Sequence, residues 1–101
     1  PATLPALLLA LKTHKKAASV GVAVCGDIHR AGLDLTAAAL AAETDPTDTT
    51  VGDLLMAAVG LARAVEVDPE AALRTAASRL AERGRALEAE ATNFSDEPNQ
   101  E

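Results

Sequence analysis

Two arginines four residues apart are the clearest candidates in this sequence for binding an anion. Arg79 and Arg83 are one helical turn apart, so a helix would place both guanidinium groups on the same face. Guanidinium groups hold phosphates well, because their planar donors match the phosphate oxygens. The same spacing is typical of an ordinary solvated charged face, which the residue types favour.

Histidine and cysteine are too sparse to indicate a zinc or nucleophilic site. His14 and His29 have no carboxylate or second histidine three or four residues further on, so we interpret both as ordinary polar residues. The single cysteine, Cys25, excludes an internal disulfide and a zinc site of paired cysteines. A Cys–His nucleophile needs a third, orienting group that the sequence does not supply, so an inert thiol is expected.

Four helices must position these side chains. Leucine and alanine recur at helical spacing, and we expect helices over about residues 5–19, 34–42, 49–65 and 69–90. The fold class is therefore all-α, a four-helix bundle in one domain over residues 1–91. A flexible acidic tail is expected over residues 92–101.

Several local signals refine these helices. Thr3 is a candidate N-cap for the first helix, Asp45 and Asp48 are candidate caps around the third, and Asp68 before Pro69 begins the fourth. In the second helix we expect three residues to face inward: Leu33, Ala37 and Leu40. The fourth helix carries a seam of leucines and small residues, suited to close helix packing in an antiparallel hairpin or a dimer interface: Leu73, Leu80 and Leu87 with Ala77, Gly84 and Ala91.

Composition excludes several classes of function. The net charge is −6 and aromatic residues are 1% of the chain, which argues against binding to a phosphate backbone and against base stacking. The apolar runs at residues 4–11 and 54–62 are too short to cross a bilayer. We expect no nucleic-acid or membrane partner, and a cytoplasmic location for a chain with one cysteine and no signal segment.

Three blocks of sequence resemble the C-terminal type of MazG domain. They cover residues 4–21, 52–63 and 68–74, and Arg79, Arg83 and Arg85 fall where that family has a basic motif. The resemblance implies an all-α nucleoside triphosphate pyrophosphohydrolase, which converts an NTP and water into an NMP and pyrophosphate with Mg²⁺. It also implies a homodimer or a higher oligomer. The family holds Mg²⁺ through EExxE and ExxD motifs, whose carboxylates share helix faces.

The carboxylates of these motifs are mostly missing. Thr50 stands where ExxD has its glutamate, and Asp53 remains; between residues 28 and 43 the only acids are Asp34 and Glu43. The resemblance therefore implies a metal site reduced to Asp53 and Asp34, with Arg79 and Arg83 binding substrate phosphates. We expect pyrophosphohydrolase activity to be weak or absent. The alternative is a non-catalytic helical dimerisation module of a larger MazG-type protein.

Overall fold

The computed structural model describes residues 6–21 and 27–95, and nearly all of them are helical. The four helices are α1 (Ala6–Ser19), α2 (Ile28–Thr44), α3 (Asp48–Ala64) and α4 (Pro69–Ser95). These two stretches contain no strand, so the predicted all-α class is confirmed. Thr3, Cys25 and residues 96–101 lie outside the described residues.

Helix α2 is longer at both ends than the sequence predicted. It begins at Ile28 because Asp27 caps it, with Oδ2 accepting a hydrogen bond from the backbone N–H of Arg30 at 3.2 Å. It continues to Thr44, and the N–H of Asp45 donates to the carbonyl of Ala41 at 2.9 Å. The predicted start at residue 34 was wrong. The cap at Asp27 favours the earlier start, because an aspartate cap stabilises a helix start by about 1 kcal/mol.

The predicted inward face of α2 was also wrong. Leu33 and Leu40 are exposed, and so is Ala37. The residues that face inward are one buried alanine and three half-buried residues at helical spacing: Ala31, Leu35, Ala38 and Ala42. The sequence allows either the predicted or the observed set of residues to face inward, because apolar residues repeat every three or four positions in both sets. Packing against α3 selects the observed set.

Helix α3 begins with a reciprocal cap built from two threonines. Thr47 Oγ1 accepts from the backbone N–H of Thr50 at 3.1 Å, and Thr50 Oγ1 accepts from the backbone N–H of Thr47 at 3.0 Å. This arrangement satisfies two N–H groups that a helix start would otherwise leave without partners. Asp48, predicted as the cap, lies in the first turn instead, and Asp45 caps the end of α2.

A tight turn separates α3 from α4. The N–H of Glu66 donates to the carbonyl of Arg63 at 3.1 Å, and the N–H of Val67 donates to the carbonyl of Ala62 at 2.9 Å. This pattern is a Schellman motif, in which Glu66 takes the left-handed position with φ 60°. Asp68 Oδ1 then accepts from the backbone N–H of Glu70 at 3.0 Å, as predicted. Helix α4 continues to Ser95 rather than ending near residue 90.

The chain divides into two compact units, Pro1–Glu70 and Ala71–Glu101. In the first unit, α3 packs extensively against α2 and more sparsely against α1. Its buried hydrophobic side chains among the described residues are Ala31 and Val59, and Gly60 is buried beside Val59. The second unit contains α4, in which residues 71–92 include no buried side chain.

Candidate functional site

A cavity of about 300 Å³ in the first unit brings together side chains from α1, α2 and α3. Asp34 of α2, three residues after the buried Ala31, lines this cavity while its side chain remains exposed to solvent. Asp53 of α3 lines the same cavity, as does His14 of α1. The two carboxylates that the resemblance assigned to a metal site therefore line one cavity.

One of these two carboxylates is already engaged by a cation. Arg30 Nε donates to Asp34 Oδ1 at 3.2 Å, one helical turn away on α2. Both side chains are largely exposed, at 69% for Arg30 and 47% for Asp34, so the pair contributes little to stability. It partly neutralises Asp34, and a second cation in the cavity would compete with Arg30 for that carboxylate.

His14 makes a specific contact that the sequence did not indicate. Arg63 Nη1 lies 2.7 Å from His14 Nδ1. An arginine remains protonated and can only donate, so Nδ1 accepts the hydrogen bond and the imidazole ring is neutral. Burial, followed by the positive charge of Arg63, lowers the pKa of His14 below 6.5. The ring then carries its proton on Nε2, the nitrogen nearer the cavity wall at Gly60.

Gly60 allows the His14 ring to come this close to α3. A Cβ atom at position 60 would lie 3.3 Å from His14 Nε2, which is tighter than ordinary side-chain contact. The absence of a side chain at Gly60 therefore leaves room for the imidazole. The only sequence signal for this contact is a glycine inside a helix, which costs about 1 kcal/mol relative to alanine and so indicates a packing constraint.

The described residues do not form a complete site for a resident metal ion. Among them, no three histidine, cysteine, aspartate or glutamate side chains cluster closely enough to hold one. Thr50 Oγ1, at the position where the resemblance implies a glutamate, donates to the carbonyl of Asp45 at 2.8 Å. The donor set fits Mg²⁺ only in part, because Mg²⁺ is commonly held by one or two carboxylates together with substrate phosphates.

The two arginines proposed to bind phosphate lie on α4, in the second unit. Arg79 and Arg83 are both exposed and share one helix face. Nearby on the same helix, Arg85 Nη2 pairs with Glu82 Oε2 at 3.1 Å. His29 is exposed in the first turn of α2, in keeping with an ordinary polar residue. Within residues 6–21 and 27–95, no helix is both long and apolar enough to cross a membrane.

Comparison with known proteins gives no assignment for the chain. No protein-family model, no curated protein and no solved structure matches it. Function is therefore inferred from the residues that line the cavity and from the resemblance of the three sequence blocks.

Proposed function

We propose that this chain is a degenerate MazG-like nucleoside triphosphate pyrophosphohydrolase domain, whose cavity binds a Mg²⁺–nucleotide complex weakly. Its turnover of NTP to NMP and pyrophosphate is slow or absent. The observation that carries the proposal is the meeting of Asp34 and Asp53 in one cavity of the first unit. The two residues come from different helices and are 19 positions apart in the sequence, so local helix geometry alone does not bring them together.

The chemistry of the cavity supports a nucleotide-dependent cation rather than a resident one. Two carboxylates supply too few ligands for Mg²⁺, and nucleotide phosphates would provide the remainder. When bound, the ion would neutralise phosphate charge and activate a water molecule. Asp34 and Asp53, which line the cavity, would hold it. The proposal also includes a homodimer and a location in the cytoplasm, where NTPs and Mg²⁺ are both abundant.

A second candidate function is a non-catalytic helical dimerisation module within a larger MazG-type protein. It is favoured by the position of Thr50, whose hydroxyl takes part in the α3 cap and also donates to the carbonyl of Asp45. Thr50 therefore stabilises the start of α3, whereas a glutamate at this position would supply a metal ligand. On this view the helices are retained and the cavity has no ligand.

Binding of a non-hydrolysable NTP with Mg²⁺, measured by calorimetry, tests the proposal. Asp53→Asn should weaken binding about tenfold or more, because it removes one of only two carboxylate ligands; tenfold corresponds to about 1.4 kcal/mol. Asp48→Asn removes the same charge from an exposed position in the first turn of α3 and should change binding much less. Equal effects of the two substitutions would contradict the assignment of Asp53.

Restoring the missing carboxylate provides the converse test. Thr50→Glu should strengthen Mg²⁺–nucleotide binding about tenfold, since a glutamate at the third helical position also suits the cap. Leu55→Glu adds the same charge two residues from Asp53, on a different side of α3, and should have little effect. Pyrophosphate release should rise only in the Thr50 variant. If no variant changes nucleotide binding, the non-catalytic module is the better account.

A further inference from the structure

His14 presents a hydrogen-bond donor to the cavity that no described residue uses. Arg63 Nη1 occupies Nδ1 at 2.7 Å, so the neutral ring carries its proton on Nε2. Nε2 makes no hydrogen bond to any residue that the structure describes. His14 is half-buried, and in this part of the chain no such side chain has an inaccessible nitrogen or oxygen without a partner. Nε2 is therefore accessible, and a ligand in the cavity can use its proton.

The cavity extends along two turns of α3. Asp53, Met56, Ala57 and Gly60 all line it, and their spacing places them on one helix face. From Asp53 to Gly60 the helix rises by about 10 Å, at 1.5 Å per residue. Gly60 is the residue that the His14 ring approaches closely. His14 and Asp53 therefore lie near opposite ends of this face.

The part of the cavity that would hold a metal ion does not include His14. In the described stretches, no three histidine, cysteine, aspartate or glutamate side chains are close enough to hold one ion, so His14, Asp34 and Asp53 do not share one. Distances from Mg²⁺ to its oxygen ligands are about 2.1 Å, so an ion held by the two carboxylates keeps the phosphates beside them. His14 meets a part of the ligand that is further from the ion.

The surroundings of His14 suit an uncharged, flat group better than a phosphate. The ring is neutral because burial, and then the charge of Arg63, lower the pKa of His14, and a neutral donor binds phosphate less strongly than a charged donor does. The adjoining side chains of the cavity are apolar: Ala31, Met56 and Ala57. A methionine sulfur packs favourably against an aromatic ring, and small alanine side chains let a flat ring approach the helices.

We propose that the part of the cavity between Met56 and His14 binds the nucleobase of the nucleotide, with His14 Nε2 donating a hydrogen bond to a nitrogen or carbonyl oxygen on the edge of the base. The inference rests on the proposed function and adds the group that selects among nucleotides. The ligand is held at two ends, by Asp34 and Asp53 through Mg²⁺ and its phosphates, and by His14 through the base. Arg63 is a positioning residue, because it contacts Nδ1 and fixes the tautomer.

Calorimetry with two kinds of ligand separates base binding from phosphate binding. The full chain is titrated, in the presence of Mg²⁺, with α,β-methylene nucleoside triphosphates of the four bases and with inorganic tripolyphosphate. His14→Leu removes the donor and should weaken binding of the best-bound nucleotide about fivefold. It should narrow the differences in affinity among the four nucleotides. Binding of tripolyphosphate, which has no base, should not change.

Two control variants accompany this test. In His14→Gln, the side-chain carbonyl accepts from Arg63 and the amide donates to the base, so nucleotide binding should stay within about twofold of the parent. His29→Leu, at an exposed position on α2, should change neither nucleotide nor tripolyphosphate binding. Equal losses in His14→Leu and His29→Leu would overturn the proposal.

The positioning role of Arg63 is measured by ¹⁵N NMR of the His14 ring. In the parent chain at pH 7.5, Nδ1 should have the chemical shift of an unprotonated nitrogen and Nε2 that of a protonated one. Arg63→Met should give a mixture of the two tautomers and reduce the preference among nucleotides. A purely structural role would leave the tautomer unchanged, and that result would contradict the positioning role.

The pattern of losses across ligands decides the outcome. An equal loss of nucleotide and tripolyphosphate binding in His14→Leu, or no loss of either, would overturn the proposal. An equal loss for all four nucleotides would place the contact on the sugar and would also overturn it. Asp53→Asn should weaken both kinds of ligand and so reports on the proposed function separately. If Asp53→Asn weakens neither, the metal assignment fails, whereas the base assignment still depends on His14→Leu; a parent that binds neither ligand defeats both.

Discussion

Acidification should loosen the contact between α1 and α3, because His14 accepts a hydrogen bond from Arg63 only while its ring is neutral. Burial and the positive charge of Arg63 lower the pKa of His14 below 6.5 in the folded chain. The unfolded chain therefore takes up this proton at a higher pH than the folded chain does. The stabilisation is fully present above about pH 6.5 and is lost as the pH falls from 6.5 through the lowered folded value.

The size of this effect follows from the type and position of the hydrogen bond. A hydrogen bond from a charged donor contributes about 1.5–3 kcal/mol, and the pair of His14 and Arg63 is only part-buried. Water weakens such a contact, so we expect about 1–1.5 kcal/mol in the free energy of unfolding. His14→Leu removes both the acceptor and the titration. It should lose that amount at pH 7.5 and differ less from the parent at pH 5.

Urea denaturation at pH 7.5 and pH 5 measures the difference. His14→Gln keeps an acceptor oxygen but cannot titrate, so its stability should fall less than that of the parent on acidification. His29→Gln, at an exposed position on α2, is the matched control and should behave like the parent. If the parent and His14→Gln depend on pH in the same way, the account of the His14–Arg63 contact is refuted.

Three further substitutions test local features by their effect on the free energy of unfolding. Gly32→Ala places a methyl group in open space on α2 and should stabilise the fold by about 0.5–1 kcal/mol. Gly60→Ala should stabilise it less, because the new Cβ crowds the His14 ring. Equal stabilisation by the two substitutions would contradict the contact between Gly60 and His14. Glu66→Gly should relieve the left-handed strain of the α3–α4 turn and stabilise by about 1 kcal/mol, and a loss would argue against the observed turn. Thr47→Ala should destabilise by about 1 kcal/mol through loss of the α3 cap, and no change in urea denaturation would show that the cap is not needed.

The parts of the fold that the sequence predicted well depend on local interactions. The start of α4 follows from Asp68 and Pro69, because a cap and a restricted φ act within one turn. The predicted end of α1 at residue 19 agrees with Ser19, and Gly21 just beyond it takes φ 92°, as a glycine at a helix C-terminus commonly does. The inward face of α2 could not be chosen locally, since it depends on how α3 packs against it.

The candidate site was predictable only in part, for a similar reason. Asp34 and Asp53 were assigned through the resemblance, and the structure brings them to one cavity. The contact between His14 and Arg63 spans 49 positions, so no local spacing rule identifies it. Within the sequence, the glycine at position 60 was the one indication that another side chain approaches α3 closely.

Titration of the full chain with Mg²⁺, with and without a non-hydrolysable nucleotide, tests the central claim most directly. Two carboxylates, one of them paired with Arg30, should not hold the ion alone, so no binding is expected at millimolar Mg²⁺ without nucleotide. With nucleotide present, binding should be measurable and sensitive to Asp53→Asn. Stoichiometric binding of Mg²⁺ to the chain alone at micromolar concentration would contradict the claim that the cavity depends on phosphate for its cation.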